Sequence, residues 1–377
     1  MAKSVYIADV CKEIFAGGDV PKSALSYEKT AEYNVPIFSN GEKNCGLYGY
    51  TNNARVKEPS ITVSARGTIG YTAIRTEPFV PVVRLITLTP KSEVIDLDYL
   101  FYATQNYKFE GSGTSIPQLT VPMLKKYKFP LPEMSHQKAI AVKFEKLDQL
   151  ISLRKQQLAK LDELVKARFV EMFGNPIENT MNWPKKLLRD ITTKIGSGAT
   201  PKGGRESYPN AGVSLIRSMN VYDGQFLYKD LAHLTDEQAT QLNGVTVEAE
   251  DVLVNITGAS VARSCVVPKD VLPARVNQHV AIVRCNRKLL NPIFTNKMFI
   301  NNEFKKALLS IGESGGATRQ AITKKQLEEL SVVVPPLSIQ NEFFTFSERV
   351  DQQKQTVQQS LGKLELMKKA LMQEYFG

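Results

Sequence analysis

Two stretches of the chain repeat apolar residues at intervals of three, four and seven, the periods of a helix that keeps one stripe turned towards a partner. In the first, Leu147, Ile151, Leu158, Leu161, Val165 and Met172 fall on the stripe; in the second, Val350, Val357, Leu361, Leu364, Leu371 and Tyr375 do. Each follows a proline-led approach, KFPLPEM or VVVPPLS, where proline sets an extended lead-in and Ser135 or Ser338 can cap the helix. The pattern predicts two helices of about 38 residues, roughly 57 Å each, packed along a shared, coiled-coil-like seam. Leu150, Leu153 and Leu164 in the first and Phe343, Phe344 and Met367 in the second lie off the stripe. They are expected to leave apolar surface for another protein.

Elsewhere the period shortens to two. The runs SITVSARG, VVRLITLTP, DVLVNITG and HVAIVRC alternate or cluster β-branched residues between Gly, Asn and Pro, and so predict short strands. Residues 96–106 and 291–308 read as helices that close two strand-rich blocks, and the Gly/Ser/Thr stretches 111–115 and 312–320 as loops. The expected architecture is mixed α/β, with block, arm, block and arm at residues 1–132, 133–174, 175–335 and 336–377.

The chain is built twice. Shifted by 203 positions, residues 113–174 align with 316–377 without a gap at about 18 identities in 62. That register holds through prolines, a loop and the closing FG, more than two unrelated helices would share. Gln137 faces Gln340, Pro132 faces Pro335, and Phe173 faces Phe376. Upstream the match is weaker but continues: residues 7–22 resemble 188–202, and ITVSARGTIG resembles VLVNITGASV with Gly67 opposite Gly258.

Charge narrows the partners. The net +10 is spread as +3 over residues 1–132, +2 over 133–173, +5 over 174–336 and 0 over 337–377, so the excess sits mainly in the blocks and favours a polyanion. There is no run of apolar residues long enough to span a membrane and no signal-peptide layout at the start, so a cytoplasmic protein is expected. Cys11, Cys45, Cys265 and Cys285 lack CxxC spacing, and His136, His233 and His279 have no ligand partner at metal-binding spacing. Catalytic motifs are equally thin. GSGATPKGG follows a helix-like stretch, NPIF lacks the second proline of a methyltransferase loop, and neither a phosphate-binding GxxxxGK[ST] nor a nuclease cluster is present.

Two blocks, each followed by a proline-led arm of the form PLPEMSHQ or VPPLSIQ that closes on FG, resemble the DNA-specificity subunit of type I restriction-modification systems. The resemblance implies two target-recognition domains, each reading half of a split double-stranded DNA site, spaced by two antiparallel helices in a pseudo-two-fold repeat. It also implies two methyltransferase subunits that bring S-adenosylmethionine, a motor-nuclease subunit that uses ATP and Mg²⁺, and no cofactor or metal on this chain. The alternatives are a helical scaffold that does not read sequence and a self-sufficient DNA-modifying enzyme. Long polar side chains suit base edges and phosphates. The candidate DNA contacts in the first block are Lys43, Asn44, Tyr48, Tyr50, Asn52, Asn53, Arg66 and Thr68, with Ser112, Thr114 and Ser115 in its last loop. In the second they are Lys202, Arg205, Arg217, Ser218, Asn220, Tyr222, Asn255, Thr257, Arg263, Gln278, His279, Arg319 and Gln320.

Overall fold

A computed structural model describes residues 3–107, 118–201, 208–313 and 321–377. The chain divides into two compact units, and each takes its own part of both long helices, Met134–Phe173 and Leu337–Phe376. Unit one comprises Met1–Gln156 and Val357–Gly377; unit two comprises Gln157–Thr356.

In unit one, Cys11–Ala16, Ile86–Pro90, Ser60–Val63 and Thr72–Arg75 lie in that order in an antiparallel sheet. A second sheet sets Val35–Phe38 between antiparallel Leu47–Thr51 and parallel Val80–Pro81. The β-branched run SITV is buried on both faces, as a central strand should be. The other run, VVRLITLTP, becomes a strand only from Ile86; Val83 and Arg84 turn sharply before it at φ of 52° and 63°. Helix Leu97–Asn106 starts at Asp96, whose carboxylate accepts the Tyr99 amide at 3.0 Å, and it packs its buried face on the sheet. Ile140, Phe144 and Leu147 from the first long helix and Leu364, Leu371, Tyr375 and Phe376 from the second complete this core.

Unit two repeats the plan. Thr192–Ser197, Val280–Cys285, Val252–Asn255 and Ser264–Val266 form an antiparallel sheet in the same order as in unit one. Even the register shift recurs, between Cys11 and Glu13 in one sheet and between Thr192 and Lys194 in the other. The second sheet again has a parallel pair, Val213–Ile216 with Ala274–Val276, flanked by Ala232–Leu234 and Thr246–Val247. A hairpin, Val221–Tyr222 with Gln225–Phe226, is added. The closing helix expected over 291–308 is two helices, Pro292–Phe299 and Asn302–Glu313, because the chain turns at Ile300 and Asn301.

The long helices enter both units in the same way. Ser135 and Ser338 do not cap them; each lies inside the first turn, and a glutamine two residues later makes the junction. Gln137 and Gln340 are 1% and 0% exposed. The Gln137 amide donates to the carbonyls of Pro132 (2.9 Å) and Val94 (3.1 Å), and its oxygen accepts the Asp96 amide (2.9 Å). Gln340 repeats this with Pro335 (2.8 Å), Leu289 (3.0 Å) and the Asn291 amide (2.9 Å). Both amides thereby tie the helix lead-in to the start of the closing helix, satisfying backbone groups that burial would otherwise leave unpaired.

Within each unit the helix segments run antiparallel. Lys143, Asp148 and Lys155 meet Tyr375, Lys368 and Glu365 in unit one, and Asp162 and Arg168 meet Lys354 and Glu342 in unit two. Such pairs contribute little energy at a surface but set register. Along the seam, Leu161, Val165, Met172 and Val350 join unit two's core, Val357 and Leu361 are buried, and Ile151 and Leu158 are half-buried. Phe343, expected on the outside, is fully buried: it packs edge-on to Phe169 and Phe173 at 5.5 Å. Its sequence neighbour Phe344 is half-buried, while Leu150, Leu153, Leu164 and Met367 are exposed. Gly174, at φ +71°, ends the first helix with its amide on the Val170 carbonyl at 2.8 Å.

Candidate nucleic-acid interface

In unit two, five candidate residues line one open cleft of about 660 Å³: Ser218, Tyr222, Thr257, Arg263 and His279. Gly258, at φ +77° with nothing near its Cβ position, turns the chain after Val252–Asn255 and leaves Thr257 at the cleft wall. Thr257 Oγ1 lies 2.5 Å from His279 Nδ1, and His279 Nε2 lies 3.2 Å from Gln278 Nε2. The Thr200 hydroxyl in turn donates to Gln278 Oε1. Across the cleft the Arg263 guanidinium sits 4.3 Å from the Tyr222 ring, a cation held without a carboxylate partner among the described residues. The site thus offers hydroxyl, imidazole, amide and guanidinium groups at a surface already curved to receive a ligand.

The unit-one counterpart is built from arginine. Arg66 Nε and Nη2 donate to Gln118 Oε1 at 3.1 and 2.9 Å, and Arg84 Nη1 approaches the same oxygen at 3.3 Å. Gly67, at φ +67°, makes the turn here. The Asn40 amide donates to the Val83 carbonyl at 2.6 Å, and Asn40 Oδ1 accepts the Ala65 amide at 2.7 Å, so one side chain braces both loops. Nearby, Lys43 and Asn44 stand exposed on the turn Lys43–Gly46, with Asn44 and Cys45 in left-handed backbone. Buried Arg75 holds that turn. It donates to Thr62 Oγ1 (3.1 Å) and the Cys45 carbonyl (2.6 Å) with its guanidinium 3.6 Å from the Phe38 ring, and burial lowers its pKa. Tyr48 is exposed beside Tyr27, Tyr50 is half-buried, and Asn52, Asn53 and Thr68 are exposed.

Two candidates are displaced by the structure. Asn220 is fully buried, donating to the Leu227 and Lys229 carbonyls and accepting the Arg217 amide. Asn255 is fully buried too and donates to the Ser218 carbonyl at 2.9 Å. Both are closed off from solvent and bonded to backbone carbonyls. Arg217 is half-buried, donating to the Asp230 carbonyl. Ser112, Thr114, Ser115, Lys202, Arg205, Arg319 and Gln320 lie outside the described residues. Arg84 and Gln118 join the unit-one cluster without having been among the candidates, and aligning VVRLIT with NQHVAI sets Arg84 opposite His279. No group of three or more potential metal-ligating residues occurs among the described residues. None of the described helices is long and apolar enough to cross a membrane.

The family model of the type I restriction modification DNA specificity domain matches the chain twice, over residues 2–163 and 181–366. The two matches together cover most of its length, and the chain belongs to the type I restriction-modification DNA specificity family. It is 36% identical over 172 residues to a Mycoplasma pneumoniae protein named as type I specificity subunit S.MpnORF507P, covering 43% of this chain and 47% of that one. It therefore spans about half the length of that relative. To the specificity subunit of the type I restriction enzyme EcoBI of Escherichia coli it is 20% identical over 330 residues, 78% of this chain and 68% of that one. The crystal structure of a type I restriction-modification S subunit from M. genitalium superposes over 100% of this chain and 96% of its own, with TM-score 0.63 at 15% identity. A chain from a study of complex assembly and conformational transition of the type I R-M system gives 0.58, also at 15%, over 99% and 97%. At that identity the likeness concerns the fold. Family membership places the chain with proteins named as type I specificity subunits.

Proposed function

We propose that this chain reads a bipartite double-stranded DNA site, one half with each unit, and that its long helices set the gap between the halves. The observation that carries this reading is the duplication of the polar loops: in both units the chain turns at an equivalent glycine and presents side chains beside the same sheet order. Exposed Leu150, Leu153, Leu164, Leu366 and Met367 on the helices are the docking positions for two methyltransferase subunits. Those subunits would supply S-adenosylmethionine, and a motor-nuclease subunit ATP and Mg²⁺, in the cytoplasm. Lysines and arginines on phosphates would supply salt-dependent, sequence-independent affinity, and the loop residues the discrimination. The test is to co-express the chain with the methyltransferase encoded beside it and map modified bases. One split motif with two constant halves supports the reading; unchanged methylation despite a purified complex overturns it.

A further inference from the structure

The two units can be compared position by position. Val63 pairs with Ile86 in one central sheet, and Val254 with Ala281 in the other. Three residues beyond the first member of each pair stand Arg66 and Thr257, and two residues before the second stand Arg84 and His279. The chain returns beside both turns in the same way: the Leu119 amide donates to the Ala65 carbonyl at 2.9 Å, and the Ile322 amide to the Ile256 carbonyl at 2.8 Å. Gln118 and Ala321 therefore complete equivalent trios, Arg66, Arg84 and Gln118 in unit one and Thr257, His279 and Ala321 in unit two.

We propose that this trio is the base-reading head of each unit and that Arg66 and Arg84 read the O6 and N7 acceptors of a guanine in the major groove; the proposal rests on the DNA-reading function above. Three observations support it. Arg66 and Arg84 converge on one neutral amide oxygen and have no ion-pair partner among the described residues, so two cations share an acceptor too weak for both. Arg84 and its β-branched neighbour Val83 are both held at positive φ, backbone that costs free energy and persists where surrounding contacts enforce it. Those contacts are present: the Val83 and Arg84 amides donate to the carbonyls of Gly18 and Gly17 at 2.8 and 3.0 Å, beside the Asn40 brace.

The contrast between the units favours base reading over phosphate binding. A phosphate is the same anion at every step of the duplex and carries no sequence information, whereas the equivalent positions change from two arginines to a threonine and a histidine. That change is what two readers of different half-sites require, because each base pair presents its own donor and acceptor pattern.

The experiment maps methylation by the complete chain with its methyltransferase for Arg66→Ala, Arg84→Ala, and the exchange Arg66→Thr, Arg84→His and Gln118→Ala. Expected is a loss of preference for one G·C pair in one half-site, on the order of tenfold to a hundredfold. The other half-site stays intact and reports that the subunit is folded and assembled. Uniformly weaker binding with every position of the motif retained and a shallower salt dependence would assign both arginines to phosphates and overturn the proposal. If the unaltered chain shows no motif at all, the DNA-reading function falls together with it.

Discussion

Gln137 and Gln340 are polar residues in core positions, and their value lies in what their absence would leave behind. Replacing either by alanine strands two carbonyls and one amide in the interior, which should cost about 2–3 kcal/mol in urea or thermal unfolding. Glutamine side chains elsewhere on the helices should tolerate the same change. The cysteines sort by burial in a similar way. Burial pushes the Cys11 and Cys265 thiols up to about 12 and Cys285 to about 11, while Cys45 is exposed. One thiol of four should therefore label rapidly with a disulfide reagent in the folded protein, and four after denaturation. Because the folded state holds these protons more tightly, their contribution to stability is complete below the ordinary thiol value of 9.0 and is lost as pH rises towards 12. Unfolding midpoints measured from pH 8 upward should fall accordingly. A midpoint that stays level above pH 9 would contradict the burial.

The long helices are elements whose ends do different work from their middles. Phe376 inserts beside Tyr99 (5.1 Å) and Phe144 (5.8 Å) in unit one, and Phe173 beside Phe294 (4.7 Å) and Phe343 (5.5 Å) in unit two. Each closes a core with a ring from the helix that ends there. Phe173→Ala or Phe376→Ala should each destabilise by about 3–5 kcal/mol, read by unfolding. Leu366→Ser, at an exposed position, should leave stability unchanged and weaken methyltransferase capture in a pull-down. An equal loss of stability in the Leu366 variant would remove it from the docking surface.

At the scale of the whole molecule, duplication gives one chain two units of the same plan. The sheet order, its register shift, the parallel strand pair and the glutamine junction all recur, while the loops between them diverge. A repeated scaffold with different loops would, under the proposed function, separate the task of positioning from the task of reading. Inserting seven residues in both long helices adds about 10.5 Å at 1.5 Å per residue, or about three base pairs at 3.4 Å each. Methylation mapping should find the unspecified gap longer by that amount with both half-sites unchanged; altered half-sites would contradict the spacer role.

What the amino-acid order determined by itself was the part encoded in periodicity and repetition. The seven-residue apolar rhythm, the proline lead-ins and the gapless match ending on FG are local or self-referential signals, and they marked the helices, the strands and the duplication. The tertiary structure decided everything that depends on which side of an element faces inward. Phe343 lies off the heptad stripe and looked like outer surface, but the block core reaches around the helix and buries it. Asn220 and Asn255 have the chemistry of base readers, yet backbone carbonyls behind the cleft claim them. Arg84 was passed over because VVRLITLTP reads as one continuous strand, and only the left-handed turn before Ile86 brings its guanidinium to Arg66 and Gln118. Spacing along a chain shows which side chains are available. Long-range packing decides which of them meet.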